Sequence, residues 1–509
     1  MNHWIIAPIL LPALLAPIMA VAMRHDIVLA RVAGLAGTVL LLTITGGLAM
    51  LAAQGGIHVY ELGNWPAPFG IVLVLDRLSA LMTVLTSALA LIVLLYALGS
   101  GWDARGRHFH ALFQFQLMGL MGAFLTGDAF NLFVFFEILL IASYGLIIHG
   151  GGGARLRAGL QYVVMNLAGS TLFLFALGTI YAVTGTLNMA DLARVSATIP
   201  LEDSALLRTA VMLLIGVFAI KAALFPVQFW LPGAYSSASA PVAALFAIMT
   251  KVGAYAIVRF TTTVFGPNIA ATDGMLTEWL LPAALVTLAV GALGVLGARR
   301  LGILAAFAVL ASMGTLMVGV ALITPQATAA AIYYLIHSTL AAAALFLVAD
   351  LAVSRRGDAG GDLRTGPVIG MAGPIAALFF AAAIALAGLP PLSGFVGKLL
   401  ILDAARVSGW VWAIWATVLI GSLVQVVGFA RAGSTLFWKP HETAQDAPKG
   451  PAADAPSPAL AVIAAAAAIG ALILLTVLAG PVAGYADATA RQLYDTPAYI
   501  GAVLAGGMR

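Results

Sequence analysis

The chain reads as an all-α integral membrane protein of about fourteen transmembrane helices. Three observations lead there. Hydrophobic residues make up 62% of the 509 and charged residues only 9%, where soluble proteins run at about 45–50% and about 25%. So few charges do not cover a water-soluble surface. The mean hydropathy is +1.06. Apolar windows of roughly 20 residues, enough to cross a bilayer, recur along the whole chain and leave no room for a large soluble domain.

In order, the windows fall at 4–23, 27–52, 71–99, 110–127, 129–149, 157–184, 204–232, 238–263, 275–296, 299–321, 326–352, 370–402, 408–437 and 458–482. The first is expected to be a retained helix. A secretory signal carries positive charge before its apolar run, whereas Met1–His3 has no Lys or Arg and Arg24 follows. The fifth window holds Glu137, the seventh Lys221 and Pro226, the eighth Lys251, the eleventh His337, and the twelfth Pro390, Pro391, Gly394 and Lys398. A Pro/Ala/Asp-rich stretch, 438–457, is expected to be a linker before the last window, and the tail past 482 is weakly polar. The organisation expected is a three-helix segment 1–109, five-helix units 110–263 and 275–437, the linker, and a last helix with a short tail, 458–509.

Cations set the orientation. With an outside N-terminus, one side carries Arg24, Arg31, Arg105, Arg107, Arg155, Arg157, Arg299, Arg300, Arg355, Arg356, Arg364, Arg431, Lys439 and Lys449. The other side carries half as many: Arg77, Arg194, Arg208, Arg259, Arg406, Arg491 and Arg509. The positive-inside rule then places the first set in the cytoplasm and both termini outside. The remaining cations, Lys221, Lys251 and Lys398, lie inside apolar windows.

A charge at mid-bilayer is disfavoured by about 2.5–3.5 kcal/mol on insertion scales. Glu137, Lys221, Lys251 and Lys398, joined by His337, therefore need a reason. An apolar medium penalises a lysine's charged form and a nearby carboxylate restores it. Changing what sits beside such a pair moves a proton by electrostatics alone. The plain alternative is a structural ion pair, or for His337 a hydrogen-bonded core residue. Excess buried positive charge is a poor way to fix helices together.

Pro226, and Pro390 and Pro391 with Gly394, break helices at membrane depth, where irregular backbone is tolerated beside a polar cavity. These interruptions fall fourth in windows 4–8 and fourth in windows 9–13. Matching breaks in two halves mark the working site of transporters. An odd-numbered unit repeated in tandem appears inverted, so the expectation is two inverted five-helix repeats with broken helices 7 and 12. Lys251, Tyr255 and Arg259 share one helix face. Tyr334, His337 and Ser338 share another, and Asn166, Ser170 and Thr171 form a polar patch. These groups, Tyr255, Tyr334 and Ser338 among them, support water wires or hold helices together.

Absences narrow the function. There is no cysteine, which removes disulfides, iron–sulfur clusters and Cys-ligated zinc. No phosphate-binding or dinucleotide loop is present. No cofactor and no metal site are expected, and a net charge of +4 does not suggest nucleic acid.

The segments GNWPAPFGIVLVLDRLSALM (63–82), GDAFNLFVFFEILLIASYGL (127–146), KAALFPVQFWLPGAYSSASAPVAALFAIMTKVGAYAIVR (221–259), YYLIHSTLAAAALFL (333–347) and AGLPPLSGFVGKLLIL (387–402) resemble the antiporter-like membrane subunits. These are the large subunits of Mrp-type (Pha, Mnh) Na+/H+ antiporters and the pumping subunits of respiratory complex I. Length and wording are similar to the D-type Mrp subunit. The resemblance implies fourteen helices and a Glu137–Lys221 charge pair. It makes Lys251 the central lysine, His337 the histidine of the eleventh helix, and Lys398 the lysine of the broken twelfth. It implies partner membrane subunits of the A, B, C, E, F and G types, in a bacterial cytoplasmic membrane. Position 342, lysine in some relatives, is alanine here.

The expected function is therefore a secondary transporter subunit, not an enzyme. It would move protons in exchange for Na+ or K+. The alternative is a proton-pumping subunit of a redox complex, an NADH–quinone oxidoreductase or a membrane-bound hydrogenase.

Overall fold

A computed structural model describes residues 3–267, 269–272, 274–439 and 458–505. In chain order the helices are α1 (Ala7–Val21), α2 (Ile27–Ala52), α3 (Arg77–Ser100), α4 (Phe109–Leu125), α5 (Ala129–Ile147), α6 (Gly153–Thr184), α7 (Met189–Ser196), α8 (Ala205–Lys221), α9 (Trp230–Ser237) and α10 (Ala240–Phe246). They continue as α11 (Met249–Arg259), α12 (Met275–Gly297), α13 (Leu301–Ala321), α14 (Pro325–Val353), α15 (Ala372–Ala387), α16 (Ser393–Ala404), α17 (Val411–Gly433), α18 (Pro458–Val477), α19 (Ala479–Tyr494) and α20 (Thr496–Leu504). A hairpin of β1 (His58–Glu61) and β2 (Val72–Leu75) pairs antiparallel, His58 opposite Leu75. β1 folds where the windows left only a loop, and β2 takes the first residues of the third window, 71–99, so its helix begins at Arg77.

Among the described residues ten helices are long and apolar enough to cross a bilayer, with shorter apolar helices at Ala7–Val21, Phe109–Leu125 and Ala372–Ala387. The chain is a multi-pass, all-α membrane protein. Polar residues start many of the helices. Asp26, Asp76, Asp128, Asn188, Thr324 and Asp495 each accept a backbone N–H in the first turn of α2, α3, α5, α7, α14 and α20, groups the helix itself leaves unpaired. In lipid, where water is absent, that pairing matters more.

Two windows are interrupted. The seventh ends α8 at Lys221 and resumes with α9 at Trp230, and the twelfth ends α15 at Ala387 and resumes with α16 at Ser393. The eighth is built from α10 and α11 and closes on one turn of π-helix, Phe260–Val264. The tail past 482, read as weakly polar, folds as α19 and α20. Ala486, Ala490 and Leu493 give α19 a buried face at helical spacing, and Asp487, Arg491 and Gln492 keep its hydropathy low. Gln492 Oε1 accepts from the backbone N–H of Arg77, and the Tyr485 hydroxyl donates to the Arg77 carbonyl. From residue 440 on, the linker expected at 438–457 lies outside the described residues.

Small residues bring the helices together, as lipid-embedded packing requires. A Cβ on Gly291 of α12 would collide with the Ala311 nitrogen of α13, and one on Gly314 would collide with the Leu288 nitrogen. The two helices thus touch backbone to backbone twice. Elsewhere a buried ion pair ties the chain across its length. Asp76, the N-cap of α3, receives Arg259 from the end of α11, and Arg259 also lies over the rings of Tyr255 and Tyr499. At the arginine-rich end, Trp102, Gly151, Arg300 and Gly361 line a common cavity of about 470 Å³.

Candidate functional site

The first cluster forms where α8 stops. Lys221, buried, is the last residue of α8. Its Nζ donates to Asn166 Oδ1 of α6 at 2.9 Å. One turn along α6, Ser170 Oγ donates to Glu137 Oε1 of α5. Glu137 and Lys221, expected as a charge pair, make no direct ion pair within 4.0 Å among the described residues. Asn166 and Ser170, four residues apart on one face, take the two side chains separately. Glu137 and Lys221 stay within electrostatic reach. Thr171, the third member of the polar patch, faces outward and donates to the Leu167 carbonyl.

The interruption itself is strained and supported. Ala223 has φ 54°, a left-handed conformation that disfavours a side chain by roughly 1–2 kcal/mol. Pro226 lies within the irregular 222–229. Phe225 N donates to Thr287 Oγ1 of α12 at 2.8 Å, and Trp230 Nε1 donates to the Ile220 carbonyl at 3.0 Å. Side chains thus satisfy backbone groups that the break releases, as membrane depth demands.

Lys251 sits close by. A Cβ on Gly253 would lie 2.6 Å from the Ala222 nitrogen, so α11 rests directly on the end of α8. Lys251 is fully buried, and its Nζ has no hydrogen-bond partner among the described residues. Such an ammonium requires water or gives up its proton. Tyr255, one turn on, donates to the Phe124 carbonyl at 2.8 Å, which ties it to α4.

The second cluster forms where α15 stops. Gly388 ends that helix with φ 78°. Lys398 Nζ donates to the Ala387 carbonyl at 2.8 Å, the Leu386 carbonyl at 3.3 Å and Ser422 Oγ of α17 at 2.8 Å. An ammonium thus occupies the negative end of α15, whose last carbonyls lack helical partners. Pro390 and Pro391 lie in the gap. Gly394, expected at the break, lies inside α16 instead. Its missing side chain leaves room for the Ala385 carbonyl and for His337 Nε2, both of which a Cβ there would strike. His337 Nδ1 hydrogen-bonds Ser393 Oγ at 2.9 Å, and the ring is in electrostatic reach of Lys398 and Lys251. Tyr334 and Ser338 turn to α13, where both meet Ser312 Oγ, at 3.2 and 2.8 Å. Ala342 is buried in a run of alanines.

The hydroxyls of Ser312, Ser393, Ser422 and Thr287 were not legible as site residues, since a single Ser or Thr in an apolar span is common. Among the described residues no acid/histidine group could hold a metal ion. The arrangement is suited to passing protons. Asn166→Leu removes the Lys221 acceptor. Hydrogen bonds to charged groups are worth about 1.5–3 kcal/mol, so a tenfold or greater fall in transport is expected, read by a pH dye in vesicles of the assembled complex. Unchanged transport sets Asn166 aside.

Residues 126–424 match the family described as NADH:quinone oxidoreductase/Mrp antiporter, TM. That match covers more than half of the chain and holds Glu137, Lys221, Lys251, His337 and Lys398. The chain belongs to the NADH:quinone oxidoreductase/Mrp antiporter family. Members similar to it include the D-type subunit of a probable K+/H+ antiporter of Rhizobium meliloti, 40% identical over 97% of this chain and 96% of that one. The D-type subunit of a Na+/H+ antiporter of Bacillus subtilis is 40% identical over 86% and 87%. Among solved structures, a chain of the Mrp complex from Dietzia superposes with a TM-score of 0.82 at 29% identity, covering 99% of this chain and 100% of that one.

Proposed function

We propose that this chain is the proton-conducting D-type subunit of a multisubunit antiporter exchanging protons for Na+ or K+ across a bacterial cytoplasmic membrane. The observation that carries this reading is the pair of charged clusters, Glu137–Ser170/Asn166–Lys221 and His337–Ser393/Lys398–Ser422, each at a helix interruption, with Lys251 buried nearby. The names of the antiporter relatives support it. A proton entering beside Glu137 perturbs Lys221 through Asn166 and Ser170. Charge then shifts to Lys251, passes the His337 region and leaves by Lys398. The reading includes fourteen spans, with spans 4–8 and 9–13 as inverted repeats. It puts the arginine-rich end in the cytoplasm, both termini outside, and A-, B-, C-, E-, F- and G-type subunits as partners.

The test uses inverted vesicles of the assembled complex and a pH-sensitive dye. Adding Na+ or K+ is expected to restore dye signal in wild type and to do nothing in assembled Glu137→Gln or Lys221→Ala complexes. Full recovery in both variants makes the charges structural. No cation response in wild type, with acidification on adding a reductant, moves the chain to a redox pump.

A further inference from the structure

A second basic region lies away from the proton path, at the arginine-rich end of the N-terminal helices. A cavity of about 360 Å³ is lined by Met23, Arg24, Ile27, Arg105, Arg107 and His110, among others. Arg24, Arg105 and Arg107 are exposed, and none has a carboxylate within 4.0 Å among the described residues. Three acids lie nearby and all are occupied: Asp350, in electrostatic reach of Arg105, accepts from the Tyr96 hydroxyl at 2.8 Å and from Trp102 Nε1 at 3.0 Å. Asp103, at the cavity wall, receives Arg31 Nε at 2.6 Å and His110 Nε2 at 3.2 Å. Burial pushes its carboxyl up, but those hydrogen bonds outweigh burial and hold it below the usual carboxylate range. Asp26 accepts the Leu29 N–H as the cap of α2. Arg105 also lines the cavity, and its guanidinium sits 3.8 Å from the centre of the neighbouring Trp102 ring.

Helix length places this cavity at headgroup depth. The 26 residues of α2 reach about 39 Å, more than a hydrocarbon core of about 30 Å. The turn carrying Arg24, just before α2, therefore lies near the level of the lipid phosphates. Below it, Leu14, Ile18 and Val21 of α1 and Val28 and Val32 of α2 are exposed. A positively charged cup thus stands above exposed apolar side chains of both helices.

We propose that this cavity holds the phosphate of an anionic phospholipid, whose acyl chains lie along Leu14, Ile18, Val21, Val28 and Val32. Arg24 and Arg107, with Arg105 at the rim, supply positive charge and N–H donors. The site is independent of transport, so its test leaves the antiporter reading untouched.

The test is native mass spectrometry of the detergent-purified complex, titrated with phosphatidylglycerol, phosphatidylcholine or inorganic phosphate. The wild-type complex is expected to bind one more phosphatidylglycerol than the Arg24→Gln/Arg107→Gln complex, with roughly tenfold or greater loss of affinity in the variant. Phosphatidylcholine distinguishes neither, and millimolar phosphate does not displace the lipid. Met23→Trp, which fills the cavity without touching charge, is expected to lose the same lipid, and serves if the double variant does not assemble. Equal phosphatidylglycerol counts in wild type and variants overturn the proposal. So does phosphate that competes fully, which would make this a site for the free ion.

Discussion

Arg259→Met is expected to lower the stability of the chain by about 3–5 kcal/mol, the usual result of removing one partner of a buried ion pair. Asp76 is 2% exposed and Arg259 3%, so the carboxylate left behind has no water to turn to. The Ser79 N–H still donates to it, which caps α3 but does not neutralise a charge. The loss also frees the rings of Tyr255 and Tyr499, and with them the join between α11 and the C-terminal α20. The double variant Asp76→Asn/Arg259→Met, with no charge left bare, is expected to recover a large part of the loss. Thermal unfolding followed by detergent size exclusion reads both. A double variant no more stable than the single one would show that the pair's charge is not what holds this corner.

Lys398→Met is expected to abolish cation-driven proton movement, a fall of at least roughly tenfold, while the complex still assembles. Methionine fills the stem of the lysine but donates nothing. The carbonyls of Leu386 and Ala387 at the end of α15 then lose their donor, a penalty of about 1–3 kcal/mol for a buried polar group. Lys398→Arg is not a conservative rescue. The lysine stem already runs against Gly388, where a Cβ would meet its Cδ at 2.5 Å, and a planar guanidinium needs more width. Dye recovery in vesicles, beside a count of assembled complex, separates transport from assembly. Wild-type transport in assembled Lys398→Met makes the ammonium a helix cap and nothing more.

Much of this was legible in the residues. Composition alone gave a multi-pass helical protein. The cost of charge in hydrocarbon singled out Glu137, Lys221, Lys251 and Lys398 without reference to any fold. Partner choice was not legible. Glu137 and Lys221 look like a pair because they carry opposite charge, yet the distance between two helices depends on what a third places between them. Asn166 and Ser170 were visible as a polar patch, but not as the hydrogen-bond partners of the two charges. Gly394 was read as a break because glycine weakens helices. Its actual use is close approach to His337, which only packing reveals. The tail helices hid for a related reason. Alanine-rich amphipathic segments bury a face without reaching the hydropathy of a span.

The π turn at Phe260–Val264 has a consequence for how chains of this kind vary in length. A π turn holds one residue more than the α turn it replaces. Removing a residue there restores regular winding and leaves Lys251, Tyr255 and Arg259 on their face. A deletion inside α11 would instead rotate part of that face by about 100°. When relatives are aligned, a one-residue gap next to the eighth span therefore belongs after Arg259, and shifting it upstream would mispair the buried lysine.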